Sequence, residues 1–483
     1  MRRLSVYMMA SLAIMSFNAC DDDDSNSNSE REDKTQISET TIEANLFVYK
    51  TMNEFYYWYD KMPSLNYKTQ EDTEEYFESL LYSGDRFSYM ITDSETYNEE
   101  LQGVSTDKGW DYTPMYTDET MTQVCAAINY VHADTPAAES GFKRGDYIYY
   151  VDGEAMTADN YYELMTKQSA TYTGVRYYEE NDTIKYEKIA YEITEREIST
   201  TPLAEHTVFD VDGHKIAYLL YLDFYKAFND DMTSIFEEFK AAGAEDLILD
   251  LRYNQGGSGD ALINLCSLIA PKANVAAGDV LMTANFNDKL NKQGYKDYYT
   301  DNFDTDLASK SLDLNRVVVI TGSRSYSASE ATMLDLAPYM EVYKIGRTTG
   351  GKNTMMFTLT PEIWTYSDGT RYFSTAIDNI TLLPIVAEYY NSANETFDTT
   401  DGDGMDPDYY MNEYSYAIRG ELGESDEPLT AAAIRYITTG SAQESSNKSL
   451  GIRESKMSEL RSGDGRLVIE PEKVRDIMTN TKL

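Results

Sequence analysis

Histidine is scarce in this chain, with three residues in 483: His132, His206 and His214. A hydroxyl or thiol nucleophile that relies on an imidazole therefore has few partners, and each of the three lies in a segment that reads as ordinary strand or loop. Cysteine is as rare. Of Cys20, Cys125 and Cys266, the last two sit in apolar stretches and read as small core residues. No spacing of His, Cys, Asp and Glu matches a metal site, so no cofactor is expected. Positive charge is also short: 41 Lys and Arg stand against 83 Asp and Glu, for a net charge of −42. That balance argues against nucleic acid or an anionic membrane surface as a partner. The apolar run 6–17 is too short to span a bilayer; with Arg2 and Arg3 before it, residues 1–19 read as a secretory signal.

What the chain does have is concentrated in residues 316–352. They read as a buried strand (317–321), a polar turn, a helix opening at Ser327-Ala328-Ser329-Glu330, and a second strand ending in Gly350-Gly351-Lys352. A serine at a strand-to-helix turn has its hydroxyl beside the unpaired N–H groups of the helix start, where developing negative charge is stabilised. Such a serine needs a base. With histidine poorly placed, Lys352 is the candidate, provided it is desolvated enough to be neutral near pH 7. Glu330 fits a first-turn carboxylate that favours the helix dipole, and it is also placed to orient the pair.

A second glycine-rich stretch follows a buried strand at 246–251: Asp250-Leu251-Arg252-Tyr253-Asn254-Gln255-Gly256-Gly257. Strand 215–221, amphipathic helix 231–242 and strand 246–251 form a β–α–β unit, hence a parallel pair with a right-handed crossover. Sites in such sheets form beyond the carboxyl ends of the strands, which puts the Gly-Gly loop beside Ser327. The N–H of Gly256 or Gly257, with that of Ala328, can bind the oxyanion of a tetrahedral intermediate. Asp250 and Arg252 read as structural, pairing around the loop.

Ser327-Ala328-Ser329-Glu330, with Lys352 25 residues beyond the serine, resembles the carboxyl-terminal processing peptidases, the tail-specific serine proteases with a Ser–Lys dyad. The run from Asp250 to Gly257 looks like that family's D-L-R-x-N-x-G-G loop. Thr135-Pro136-Ala137-Ala138-Glu139-Ser140-Gly141-Phe142-Lys143-Arg144-Gly145-Asp146 resembles a PDZ segment. The resemblance implies a multidomain α/β (α+β) protein: a small helical N-terminal domain, a PDZ-like β domain and a tail-specific-protease or crotonase-like α/β core. It implies Ser327 as nucleophile and Lys352 as base, acting on a peptide or protein whose C-terminal end the PDZ-like domain receives by strand addition. One position departs: where the family often has a glutamine four residues after the lysine, this chain has Met356, which leaves Asn353 or Thr354 to supply a hydrogen bond in its place, or none to be needed.

In chain order the expected units are a signal peptide (1–19), an acidic tether (20–40), a helical N-terminal domain (41–98) taken as a structural cap, the PDZ-like domain (99–198), the peptidase core (199–439), and a linker with a peripheral tail (440–483). Cys20, followed by Asp21-Asp22-Asp23-Asp24, resembles the lipidated cysteine of a bacterial lipoprotein, which implies membrane attachment in the cell envelope. Asp401-Gly402-Asp403-Gly404-Met405-Asp406-Pro407-Asp408 lacks the closing glutamate of an EF-hand and resembles the family's G-x-G-x-x-P-D run. The reading is a cell-envelope serine endopeptidase. Its rival is a catalytically inactive peptide- or ligand-binding lipoprotein on the same fold.

Overall fold

The first described helix begins where Ser38 accepts the Thr41 N–H through its hydroxyl, and it runs over Glu39–Phe55. Ala44, Phe47, Val48, Met52 and Phe55 recur at helical spacing and are buried. Burying each of the larger of these side chains is worth about 2 kcal/mol. Asp72 caps a second helix, Thr73–Leu80, in the same way. A computed structural model describes residues 37–366, 368–400, 402–443, 458–459 and 466–480. The signal-like residues 1–19 and Cys20 lie outside the described residues. No described helix is long and apolar enough to cross a membrane.

The expected β–α–β unit is present. His214–Tyr221 pairs in parallel with Asp246–Asp250, and helix Asn229–Ala242 lies between them in sequence. The six-stranded core sheet has the order Leu203–Val211, His214–Tyr221, Asp246–Asp250, Arg316–Thr321, Glu341–Gly346, Tyr409–Tyr410. Only its first pair is antiparallel. Asp246–Asp250 is buried throughout, as a parallel strand covered on both faces must be. Helices Gly259–Ile269 and Ala328–Leu336 contribute to the core cluster on one face, and Pro428–Thr439 to the cluster on the other.

Beneath the Asp250–Gly257 loop lies a buried charge network. The Arg252 guanidinium donates to Asp250 Oδ2 at 2.7 Å and to Glu427 Oε1 at 2.7 Å. Asp250 and Arg252 are thus placed as the sequence suggests, bracing the loop.

A second sheet has the order Gly256–Ser258, Arg466–Ile469, Thr354–Phe357, Ile385–Asn391, Val280–Phe286, Thr300–Asn302. Its second member corrects the expectation of a peripheral tail. The strand Arg466–Ile469 is inserted in parallel between the glycine strand and the strand that follows Lys352. Val468 and Ile469, then Val474 and Ile477 of helix Pro471–Asn480, are buried in the core.

Residues 104–199 form a separate sheet-rich module. Its strand order is Ser458–Glu459, Trp110–Tyr116, Val124–Val131, Asp146–Val151, Ser169–Glu180, Thr183–Thr194, with short helices Pro136–Ser140 and Tyr161–Met165. Cys125 and Cys266 are buried, and neither forms a disulfide among the described residues. Arg144 joins this module to the core, with 2.7 Å to Glu413, and Arg324 joins it to the serine turn through two bonds to Asp111, 2.6 and 2.8 Å.

Candidate active site

Strand Arg316–Thr321 delivers a turn whose last residue, Ser327, is fully buried and has φ 58° and ψ −108°. A non-glycine residue there stores about 1–3 kcal/mol of strain, which only an over-determined surrounding holds in place. The surroundings are visible. Ser325 Oγ donates to the Leu251 carbonyl at 2.8 Å, and the Tyr326 N–H and Ser329 Oγ both donate to the Asn254 carbonyl, at 3.1 and 3.0 Å. The serine turn is thereby locked onto the glycine loop. Helix Ala328–Leu336 starts directly after it, so the positive end of the helix faces the Ser327 hydroxyl. That hydroxyl makes no hydrogen bond with any described residue.

Lys352 is not at a strand end as expected. Glu341–Gly346 does run parallel beside the serine strand, but it stops at Gly346. Lys352 lies on the loop 347–353. The strand ends there because Gly346 takes φ 129° and sits so close to the Thr321 carbonyl that a Cβ would approach it to 2.1 Å. The loop then folds back over the serine turn, so tightly that a Cβ on Gly350 would fall within 1.9 Å of the Tyr326 ring.

Two side chains tie this loop to Ser327. Glu330 Oε2 accepts the N–H of Ser327 at 2.8 Å and that of Lys352 at 2.9 Å. Its Oε1 accepts the Thr349 hydroxyl at 2.5 Å and the Gly351 N–H at 2.8 Å. Burial pushes the Glu330 carboxyl above its ordinary value, and these four donors work in the opposite direction. From the other side, the Tyr389 hydroxyl lies 2.8 Å from the Lys352 carbonyl and 3.2 Å from that of Ser327. Residues 327 and 352 are thus bridged twice through their backbones.

The Lys352 side chain is 1% exposed and its Nζ lies 5.1 Å from the centre of the Phe87 ring. Phe87 also packs edge-on against Tyr326. Arg86 donates to the carbonyls of Gly350 and Gly351 at 3.3 and 3.2 Å, and to that of Gly402 at 3.2 Å. The N-terminal segment is therefore part of the site wall as well as a cap. Residues 402–405 brace the same loop: the Met405 N–H donates to Thr349 Oγ1 at 2.7 Å and the Gly404 N–H to the Thr349 carbonyl at 3.1 Å.

Met356 is fully buried among Leu383, Ile385 and Val468. Neither suggested substitute takes the glutamine's place: Asn353 Nδ2 donates to the Phe397 carbonyl at 3.1 Å, and the buried Thr354 hydroxyl has no hydrogen-bond partner among the described residues. On the glycine loop, the Gly256 N–H is occupied by Asn254 Oδ1 at 2.8 Å. Gly257 has φ 147° and presses on the Phe224 carbonyl, where a Cβ would come within 2.3 Å, so only glycine fits. The histidines are engaged elsewhere. His214 lies between Glu245 and Asp246, His206 is 3.8 Å from Glu238, and His132 packs against the Tyr130 ring.

A buried serine under strain at a helix start, with a buried lysine bridged to it through the backbone, brings together residue types that acyl transfer uses. Two family models match the chain: peptidase family S41 over residues 215–410 and the peptidase S41 N-terminal domain over residues 43–89. The chain belongs to peptidase family S41. The matched residues cover the helical N-terminal segment and the part of the core that contains the Ser327 turn and the Lys352 loop. A crystal structure from Bacteroides fragilis, described as an S41 protease, is 26% identical with a TM-score of 0.64, over 81% of this chain and 97% of that one. The photosystem II D1 C-terminal processing protease is 16% identical with a TM-score of 0.46, over 82% of this chain and 98% of that one. No curated protein sequence matches. Membership of S41 supports a serine-type peptidase.

Arg86, Phe87, Asn254 and Tyr389 were not singled out as site residues by the sequence. Arg86 and Phe87 fall in a run that reads as the close of a helical segment, and Tyr389 sits in a strand with no local signal. Asn254 lies inside the glycine motif, but the two contacts of its carbonyl with the serine turn are made only in the fold.

Proposed function

We propose that this S41 chain is a serine endopeptidase of the cell envelope that cleaves peptides or proteins through Ser327 and Lys352. The observation that carries the reading is the double bridge by Glu330 and Tyr389, which holds a strained serine and a water-excluded lysine in one small volume. In this mechanism Lys352 Nζ takes the Ser327 proton as Oγ attacks the scissile carbonyl. The oxyanion sits against the Ala328 N–H and that of Gly257, since the Gly256 N–H is engaged by Asn254. Lys352 then protonates the leaving amine, and water hydrolyses the acyl-enzyme. The Ser327 hydroxyl has no hydrogen-bond partner among the described residues, so in this mechanism a side-chain rotation precedes the proton transfer. The module 104–199 supplies an extended peptide with a strand edge. Residues 1–19 and Cys20 motivate lipid anchoring, checked by loss of palmitate labelling in Cys20→Ala.

The rival is a non-catalytic binder on this fold. It draws on Met356 and on a Ser327 hydroxyl that bonds to no described residue. Casein hydrolysis by the purified mature chain separates the two: cleavage that falls by about 10,000-fold in Ser327→Ala supports the peptidase, given what loss of a covalent nucleophile costs. Cleavage equal in both proteins would refute the Ser327 assignment.

Glu330→Gln is expected to lower kcat/KM about 100-fold, because an amide cannot accept from all four donors and the lysine loop shifts by a fraction of an ångström. The pH profile adds a second readout. The Glu330 carboxyl is raised by burial, so it takes up a proton, and loses acceptor capacity, at a pH above the ordinary glutamate range. Activity therefore falls as pH drops through that region, and the Gln variant lacks this limb. A variant with the native rate and the native acid limb would remove Glu330 from the argument.

A further inference from the structure

The C-terminal segment occupies an edge that the proposed function gives to a peptide. Strand Trp110–Tyr116 pairs on one side with Val124–Val131. On the other side, Ser458 and Glu459 add to it in antiparallel register, opposite Tyr116 and Met115. The direction matters. From Ser458 to Glu459 the chain heads back along the strand toward Trp110, the course of a peptide whose C-terminal end approaches the loop that precedes this strand. Tyr112 and Tyr116 of this strand and Tyr161 of the helix Tyr161–Met165 pack against the same buried cluster, which includes Leu164 and Met165 of that helix. Aromatic side chains around a strand edge that already accepts an added strand suit an extended peptide.

The same segment is anchored a few residues later. Arg466–Ile469 lies between the glycine strand and the strand after Lys352, with Gly257 in register with Leu467, and helix Pro471–Asn480 buries Val474 and Ile477. One end of the tail is therefore core, while the other is a two-residue strand on an edge. Backbone pairing over two residues is a weak contact that persists because the anchor keeps it close.

We propose that residues 458–459 are a built-in strand ligand of the Trp110–Tyr116 edge, which an extended peptide partner must displace before it binds there. The proposal rests on the reading of this module as a peptide receiver. A tethered segment acts at an effective concentration of about 1 mM, so a tail that by itself binds the edge at about 0.1 mM weakens the apparent affinity of a competing peptide about tenfold.

The test uses the full chain carrying Ser327→Ala, so that binding is read without cleavage. The probe is a fluorescein-labelled peptide with the sequence of residues 454–463, followed by anisotropy. The comparison is the same chain with Ser458→Pro and Glu459→Pro, which removes two backbone donors outside the buried anchor. Binding about tenfold tighter to the proline variant, with faster amide exchange at Met115 and Tyr116 and an unchanged Tm, is the expected result. Equal affinity for both chains, within twofold, overturns the proposal. So does binding to neither, which would also remove the peptide edge. Casein hydrolysis by the chain with Ser327 intact is a separate measurement, so the peptidase reading stands or falls independently.

Discussion

Replacing Lys352 by alanine is expected to reduce kcat/KM for casein by about 1,000-fold, or about 4 kcal/mol of transition-state stabilisation, in the middle of the range for loss of a general base. The discriminating partner is Lys352→Arg. A guanidinium keeps the positive charge and much of the packing against Phe87, 5.1 Å from the lysine nitrogen, but it does not give up its proton near neutral pH. If Lys352 acts as a base, arginine is as inactive as alanine. If the lysine only supplies positive charge to the oxyanion, arginine retains activity within about threefold and the dyad mechanism is wrong. Thermal denaturation of both variants guards against a trivial loss. Glu330, Tyr389 and Arg86 hold the loop through its backbone, so neither variant should lose the fold.

That separation between backbone and side chain also explains what the sequence could disclose. The segments from Asp250 to Gly257 and from Ser327 to Glu330 were legible because each is local: a buried strand, a tight turn, a helix start. Their meeting followed from a general rule, that sites form beyond the carboxyl ends of parallel strands. The position of Lys352 was legible only in part. The strand was expected to continue to residue 352, whereas it ends at Gly346 and the rest is shaped by Glu330, Thr349 and residues 402–405. Contacts of that range leave no periodicity in a chain. Tyr389 reaches the site from a strand of the other sheet, and Phe87 from the N-terminal segment, so no spacing rule points to either. The tail is a different case. Val474, Ile477 and Met478 carry a helical apolar face that signals burial. Composition alone, in a stretch behind a Ser, Gln and Asn linker, concealed it.

Arg252→Met is expected to destabilise the protein by about 3–5 kcal/mol, the cost of leaving buried charges without their partner. Arg252 is 2% exposed; its guanidinium donates to Asp250 and to Glu427, both fully buried. Glu413 stands 3.7 Å away and is shared with Arg144 and Arg419. Burial opposes ionisation at Glu413, yet Arg144, Arg252 and Arg419 hold its carboxyl down to about 2. At Glu427 burial is likewise overcome, chiefly by Arg252, so its carboxyl also lies below the ordinary value. A carboxyl depressed in the folded state gives stability that is present above its unfolded value, about 4.3, and is lost as pH falls toward the folded one. For Glu413 that window runs from about 4.3 down to about 2. In Arg252→Met both depressions shrink, so the acid-unfolding midpoint moves to higher pH while the urea midpoint falls at neutral pH. The triple variant Asp250→Asn, Arg252→Met, Glu427→Gln is expected to recover more than half of the loss, because the charges that made the methionine costly are gone. Failure of the triple variant to recover, or a single variant with native urea and acid midpoints, would show that the packing of the arginine stem and not its charge holds the glycine loop. The Arg252 carbonyl lies where a Cβ on Gly322 would come within 2.4 Å of it, so a shift of this residue reaches the serine turn directly, and activity should decline at a lower temperature than in the native chain.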